Sequence, residues 1–145
     1  MKTILILAVT GMVAALTLSA CGGAPAATPT SQPSATSTIA SSRMMTVVQL
    51  RDALQRKDFL FVNVHIPVGP QIAGTDKYIA FDKIEENLSS FPSDKTAKIV
   101  VYCRSGSMSA LAARDLVRLG YTNVWDVEGG MVAWETQGFE LKQAP

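Results

Sequence analysis

The spacing of apolar residues changes repeatedly along the C-terminal part of the chain, and each change predicts a new element. Apolar residues three or four positions apart predict helices over 47–56 and 109–119. Nearly continuous apolar runs predict buried strands over 59–64 and 99–103. A shorter run predicts another strand over 124–127. The chain is therefore expected to alternate between strands and helices.

Polar and small residues mark where these elements begin and end. Thr46 with Gln49, and Asp82 with Glu85, each fit a capping box, which predicts a helix start at both places, the second helix ending near residue 89. Gly120 is the expected C-terminal stop of the helix that precedes it. Four further segments are expected: a loop over 65–77, a short strand over 78–81, a turn over 92–95 and a last helix over 131–136.

This alternation predicts a single α/β domain over 44–145, with a central parallel sheet and helices on both faces. Ligands in such folds lie beyond the carboxyl ends of the strands, which is where Cys103 is placed. Trp125 and Trp134 are interpreted as core residues rather than ligand contacts. The helix after Cys103 is expected to turn five apolar residues inward: Ala110, Leu111, Ala113, Leu116 and Val117.

Cys103 stands at the end of a predicted strand and is followed by a polar, flexible loop and then a helix. Backbone N–H groups of such a loop, with the partial positive charge of the helix N-terminus, stabilise a thiolate. The pattern therefore favours a nucleophilic cysteine over the alternative, a buried structural cysteine. The predicted binding loop comprises six residues: Arg104, Ser105, Gly106, Ser107, Met108 and Ser109.

Three residues near Cys103 have specific expected roles. Arg104 either steers an anionic substrate or is an ordinary solvated arginine. His65, the chain's one histidine, either carries protons near the site or, as we favour, lies on its rim. Gly106 is expected to adopt a positive φ.

Composition and charge argue against several classes of function. The 145 residues suffice for one ordinary domain, and a formal net charge of +1 gives no basic field for nucleic acid. Two cysteines, Cys21 and Cys103, cannot form a disulfide framework. With a single histidine they also supply too few ligands for a metal site. We expect a monomer without a cofactor.

The N-terminal segment has the chemistry of a secretory signal peptide over 1–20. Lys2 precedes an apolar stretch that is short for a membrane span. Leu18-Ser19-Ala20-Cys21 resembles the cleavage signal of bacterial lipoproteins, which favours lipid attachment at Cys21 over a plain signal peptide that happens to contain a cysteine. We therefore expect a lipoprotein anchored on the extracytoplasmic side of a membrane, periplasmic or at the cell surface. The Ala-, Pro-, Ser- and Thr-rich segment within 21–43 is expected to be a disordered tether.

The segment around Cys103 resembles the active-site loop of rhodanese-domain sulfurtransferases. In that family a strand leads into Cys-Arg-Ser-Gly-x-Arg-Ser and then a helix, and Cys103-Arg104-Ser105-Gly106 and Ser109 match this motif. Residues 119–124 and 127–134 match the family's later Gly-Tyr/Phe-x-x-Val strand and its Gly-Gly-x-x-x-Trp helix start. The resemblance covers about residues 44–141.

The resemblance implies transfer of sulfane sulfur through a persulfide on Cys103. The partners would be a small sulfur donor, such as thiosulfate or a persulfide, and a thiol or other nucleophilic acceptor. Two departures from the family bear on this. Met108 stands where a second arginine is frequent, which disfavours thiosulfate as donor, and Asn63-Val64-His65 replaces the usual Asp-Val-Arg.

Two other classes of function share this fold. The related dual-specificity phosphatases use Cys-x5-Arg, but the residue six positions after Cys103 is Ser109, so the arginine that would grip a phosphate is missing. The second alternative is a non-catalytic rhodanese-like module that binds a partner or carries sulfur. Many such modules lack the cysteine, and its presence here favours catalysis.

Overall fold

The computed structural model of the chain describes residues 41–144. The predicted signal peptide, the lipid attachment at Cys21 and most of the predicted tether fall on residues 1–40, outside the described residues. Within 41–144, none of the helices is both long enough and apolar enough to cross a membrane.

Seven strands, three α-helices and two 3-10 turns account for the regular structure of residues 41–144. The strands are β1 (Arg43–Met45), β2 (Leu60–Asn63), β3 (Gln71–Ile72), β4 (Lys77–Tyr78), β5 (Ile99–Tyr102), β6 (Val124–Val127) and β7 (Leu141–Lys142). The helices are α1 (Val47–Leu54), α2 (Ser107–Arg118) and α3 (Gly130–Thr136), and the 3-10 turns are Phe81–Lys83 and Leu88–Ser90.

Five of the strands form one sheet in the order β1-β6-β5-β2-β4, and every neighbouring pair in it is parallel. β3 and β7 form a separate antiparallel pair. The central strand is β5, whose four residues are all buried, as a strand covered on both faces requires. The predicted α/β fold with a central parallel sheet is confirmed.

Side chains that alternate along β5 enter two separate hydrophobic layers, one on each face of the sheet. Val100 and Tyr102 lie in the layer shared with α1 and α3. Val101 and the following Cys103 lie in the layer that α2 covers. The alternation therefore places Cys103 at the carboxyl edge of the sheet, beneath the start of α2.

The capping box at the start of α1 is confirmed. The Gln49 N–H donates to Thr46 Oγ1 at 3.2 Å, and the Thr46 N–H donates to Gln49 Oε1 at 2.9 Å. The helix ends at Leu54, two residues before the predicted limit of 56. The sequence therefore predicted the start of α1 better than its end, because the hydrogen bonds between Thr46 and Gln49 fix the start.

The helix predicted from Asp82 and Glu85 is wrong. Two short 3-10 turns take its place, and Ala80, which precedes the first, makes no side-chain capping bond. Asp82 falls inside the first turn, past the position from which a carboxylate caps a helix. The segment instead buries Ile84 and Phe91 in the layer that α2 covers.

The buried face of α2 differs from the predicted one. Ala110 and Leu111 are exposed, and Val117 is half-buried against the core. The helix begins at Ser107, after the left-handed Gly106 and two residues before the predicted start. The buried residues of the helix are Ser109, Ala112, Ala113 and Leu116.

The shortest strands were not predicted correctly from the hydrophobic pattern. β1 was not predicted, and β3 lies inside the segment predicted as the loop over 65–77. β4 covers Lys77–Tyr78, so it begins and ends earlier than the strand predicted over 78–81. Strands of two or three residues are too short to show a period, which is why sequence reasoning missed them.

The start of α3 holds the end of β5 in place. The Met131 N–H donates to the Cys103 carbonyl at 3.0 Å, and the Val132 N–H donates to the Arg104 carbonyl at 2.9 Å. Gly130, with φ +54°, permits this approach because a Cβ there would lie 2.9 Å from the Arg104 carbonyl oxygen and closer still to that of Cys103. The backbone on which the cysteine stands is therefore fixed by α3.

We predict that Gly130→Ala destabilises the protein more than Gly138→Ala. Both glycines have a positive φ, so alanine is strained by about 1–2 kcal/mol at either position. A Cβ at Gly138 meets nothing within 4 Å, whereas at Gly130 it overlaps backbone, which adds roughly 1–3 kcal/mol. Urea unfolding of the two variants measures the difference, and equal losses would contradict the close-approach argument.

Candidate functional site

Cys103 directly follows β5 at the carboxyl edge of the sheet, as predicted from the sequence. It is 1% exposed, so a substrate can reach its sulfur with a small terminal atom but not with a bulky group. Residues 104–106 form the loop after it, and Gly106 has the predicted positive φ, at +101°. The loop thus folds back over the cysteine before α2 begins.

Two polar groups of the loop approach the sulfur of Cys103. The Gly106 N–H donates to Sγ at 3.1 Å, and the Ser109 hydroxyl lies 3.5 Å from Sγ. The N-terminus of α2 carries no side-chain cap, and the N–H groups of a first helical turn lack acceptors within the helix. One backbone N–H and one hydroxyl therefore lie near the sulfur, at the start of a helix, an arrangement that stabilises negative charge on it.

The other residues of the predicted loop differ in their exposure to solvent. Arg104, Ser105 and Ser107 are exposed, so Ser109 is the loop serine whose hydroxyl the structure brings to the sulfur. Met108 is half-buried and packs against the hydrophobic layer that contains Cys103. The loop thus has an exposed polar side and an apolar side that packs against the core.

A cleft of about 330 Å³ adjoins the loop beside Arg104. His65 lies in the same cleft and is half-buried, which agrees with a place on the rim of the site. Burial, and then the positive charge of Arg104, lower the pKa of His65. Six of the residues that line the cleft are His65, Val68, Arg104, Met131, Glu135 and Leu141. The cleft therefore offers charged groups of both signs on an apolar wall.

Asn63 takes a buried position at the end of β2, where the related family has an aspartate. It is 2% exposed, and its Oδ1 accepts the His65 N–H at 3.0 Å. A neutral amide makes this backbone contact without placing a charge in the interior. Asn63, although it replaces the aspartate of the related family, therefore still stabilises the turn that carries His65.

Sequence reasoning missed Asp126, a carboxyl that is 3% exposed. Burial raises the pKa of Asp126 to about 6, and hydrogen bonding by the Ser109 side chain and the Val127 backbone offsets part of that rise. One signal was available in the sequence: Asp126 is the charged residue within the otherwise apolar β6, at an alternate position to Val124. Asp126 Oδ1 is buried and accepts no hydrogen bond from the described residues.

The arrangement can hold an anionic sulfur and exchange it with a small sulfur compound. Within residues 41–144, no group of three or more His, Cys, Asp or Glu side chains is placed to bind a metal ion. The contacts at Cys103 favour a cysteine nucleophile with a backbone donor.

Comparison with known proteins agrees with this geometry. The model of the rhodanese-like domain family matches residues 39–137. A sulfurtransferase of Allochromatium vinosum is 29% identical over 87 residues, covering 59% of this chain and 79% of that protein. An adenylyltransferase and sulfurtransferase of Candida albicans is 35% identical over 85 residues, covering 59% of this chain. The matched segment spans 19% of that longer protein.

A solved structure has the same fold over nearly its whole length. The rhodanese-related protein of Thermoplasma volcanium superposes with a TM-score of 0.58 and 26% identity, covering 69% of this chain and 97% of that one. The family match extends over the sheet, the Cys103 loop and α3. The chain therefore belongs to the rhodanese-like domain family.

Proposed function

We propose that the protein is a membrane-anchored, extracytoplasmic sulfurtransferase that carries sulfane sulfur as a persulfide on Cys103. The observation that carries this proposal is the Gly106 N–H donated to Cys103 Sγ at 3.1 Å, at the uncapped start of α2. Membership of a family whose relatives bear the name sulfurtransferase supports it.

The reaction has two displacement steps. The Cys103 thiolate attacks the outer sulfur of a donor, a new S–S bond forms, and the old bond to that sulfur breaks so that the remainder of the donor leaves with the electron pair. An acceptor thiolate then attacks the outer sulfur of the Cys103 persulfide and takes that sulfur. Cys103 leaves as a thiolate. The sulfur atom moves without net oxidation or reduction, so the cycle needs no redox cofactor.

The burial of Cys103 fits this sequence of steps. Because Cys103 is 1% exposed, a sulfur at the end of a donor chain is better suited to reach Sγ than a bulky group. The N–H groups of the first turn of α2 would stabilise the charge on that outer sulfur. A phosphatase is disfavoured, because Ser109 takes the place of the phosphate-gripping arginine and is itself fully buried.

We expect Cys103→Ser to abolish sulfur loading. Wild-type protein exposed in turn to thiosulfate, polysulfide and glutathione persulfide should gain the mass of one sulfur atom with at least one donor, and the serine variant with none. Intact-mass spectrometry measures this directly. A variant that still gains and transfers sulfur would rule out Cys103 as the carrier.

The membrane anchor belongs to the same proposal. Leu18-Ser19-Ala20-Cys21 supports lipid attachment at Cys21, in residues that lie outside the described part of the chain. Two acyl chains bind a bilayer firmly, at about 0.8 kcal/mol for each buried CH₂ group.

We predict that Cys21→Ser prevents lipid attachment. The variant should leave the detergent phase on phase partitioning, or persist as an uncleaved precursor of higher mass. Cys103→Ser serves as the matched cysteine control and should partition like wild type. Unchanged partitioning and mass of Cys21→Ser would count against the lipoprotein assignment.

The donor proposed for this site is polysulfide or a low-molecular-weight persulfide rather than thiosulfate. Arg104 is the cation of the loop, and Met108 occupies the position of the family's second arginine. One charge-assisted contact contributes roughly 1.5–3 kcal/mol. Its absence should weaken the use of a dianion about ten- to a hundred-fold, since each decade corresponds to about 1.4 kcal/mol.

Met108→Arg should therefore raise kcat/KM for thiosulfate selectively. Because Met108 packs partly against the core, Met108→Leu is the control that changes packing without adding charge. Steady-state kinetics with thiosulfate and with a persulfide donor on all three proteins separate the effects. If wild type prefers thiosulfate and the arginine changes nothing, the electrostatic account of donor choice is wrong.

A further inference from the structure

The cleft beside the Cys103 loop carries two exposed side chains of opposite charge. Arg104 and Glu135 both line it. Neither forms an ion pair with the other or with any further residue of the segment 41–144. A cation and an anion that border one cleft without neutralising each other are groups that a ligand between them can pair with.

The cleft lies against the backbone of Cys103. Arg104 follows Cys103 directly, and Met131, which also lines the cleft, donates its N–H to the Cys103 carbonyl at 3.0 Å. Glu135 comes one helical turn after Met131 in α3, so these two side chains share a face of that helix. A ligand in the cleft is therefore held next to the residue that carries the sulfur in the proposed function.

The remaining wall of the cleft is largely apolar and encloses room for a small ligand. Five apolar residues line it: Pro67, Val68, Pro70, Met131 and Leu141. The volume of about 330 Å³ is at the lower end of the roughly 300–1,000 Å³ that ligand clefts occupy. The cleft thus suits a compact molecule with a short apolar part and charged groups at its ends.

His65, the third titratable residue among those that line the cleft, adds no charge at neutral pH. Burial, and then the positive charge of Arg104, lower the pKa of His65 from its ordinary value of 6.5. The described lining therefore presents one positive and one negative charge. A dianion is attracted by Arg104 and repelled by Glu135, whereas a ligand with one charge of each sign is complementary to both.

We propose that this cleft binds an α-amino-acid thiol as the sulfur acceptor, with its carboxylate on Arg104 and its ammonium group on Glu135. The assignment names the acceptor of the proposed function and rests on that function. A guanidinium group pairs well with a carboxylate, and the Glu135 carboxylate accepts hydrogen bonds from the ammonium group. Glu135 is then the residue that selects for an amino group.

The acceptor reacts as a thiolate, after its thiol proton has passed to water. Its sulfur attacks the outer sulfur of the Cys103 persulfide and a new S–S bond forms. The bond between that outer sulfur and Cys103 Sγ breaks, and its electron pair stays on Cys103. The product is the persulfide of the amino acid, and no electrons enter or leave the site.

Binding is tested with probes that cannot take up sulfur. S-methyl-L-cysteine carries both charges, 3-(methylthio)propionate lacks the ammonium group, and 2-(methylthio)ethylamine lacks the carboxylate. Titration of the full chain, followed by the backbone ¹⁵N and ¹H chemical shifts, measures each dissociation constant. Wild type should bind S-methyl-L-cysteine about fivefold more tightly than either analogue, which corresponds to about 1 kcal/mol, the upper range for an exposed charge pair.

Three variants assign the two charges. Glu135→Gln should lose the preference for S-methyl-L-cysteine over 3-(methylthio)propionate, and Arg104→Gln should lose the preference over 2-(methylthio)ethylamine. Glu140→Gln removes an exposed carboxylate that does not line the cleft, so it should keep both preferences. Equal affinity of wild type for all three probes, no binding of any probe, or unchanged preferences in Glu135→Gln would overturn the proposal.

Steady-state turnover with L-cysteine as acceptor connects the cleft to the reaction. Glu135→Gln should raise KM for cysteine about fivefold and leave kcat nearly unchanged, because the lost contact binds substrate and transition state alike. A fall in kcat at unchanged KM would overturn the binding role of Glu135. The probes need no persulfide, so a wild type that binds them but never loads sulfur would refute the function of Cys103 and not the ligand class of the cleft.

Discussion

The site depends on two backbone hydrogen bonds that α3 makes to the end of β5. Met131 and Val132 donate their N–H groups to the carbonyls of Cys103 and Arg104, and a glycine at position 130 allows the contact. The trans peptide planes turn the N–H groups of Arg104 and Ser105 away from those contacts. The Gly106 N–H, one peptide further along, donates to the sulfur. The Gly-Gly segment far along the chain thus determines the surroundings of the cysteine.

Hydrogen-bond donors reach the end of an apolar strand. β5 is fully buried between two hydrophobic layers, and Cys103 remains within one of them. The donors near the sulfur come from the Gly106 backbone and from Ser109, and neither is a cation. Because Cys103 is 1% exposed, the proposed function requires a donor that presents a terminal sulfur atom.

The sequence predicted correctly those features that a local chemical signal determines by itself. Strands of at least four residues, the capping box at Thr46, the left-handed Gly106 and the place of Cys103 could all be predicted, because each rests on short-range spacing or a specific residue type. The helix predicted at Asp82 failed because a capping pattern without tertiary support does not determine a helix. β1 lacked the length to show a pattern.

Contacts between distant segments could not be read from the sequence. The inward face of α2 depends on how the helix packs against β5 and β6. Ser109 is therefore buried, whereas Ala110 and Leu111, which apolar spacing had assigned to the core, are exposed. Asp126 lies far along the chain from Cys103, and the register of β5 against β6 brings them to the same face. The fold was therefore more predictable than the details of the site.

In the proposed persulfide, backbone N–H groups at the start of α2 stabilise the sulfur carried on Cys103. The change in backbone ¹⁵N and ¹H chemical shifts when one sulfur atom is added to the full chain tests this interaction. The largest changes are expected on the amides of residues 106–109. Changes confined to other parts of the chain, with those amides unmoved after loading is confirmed by mass, would contradict it.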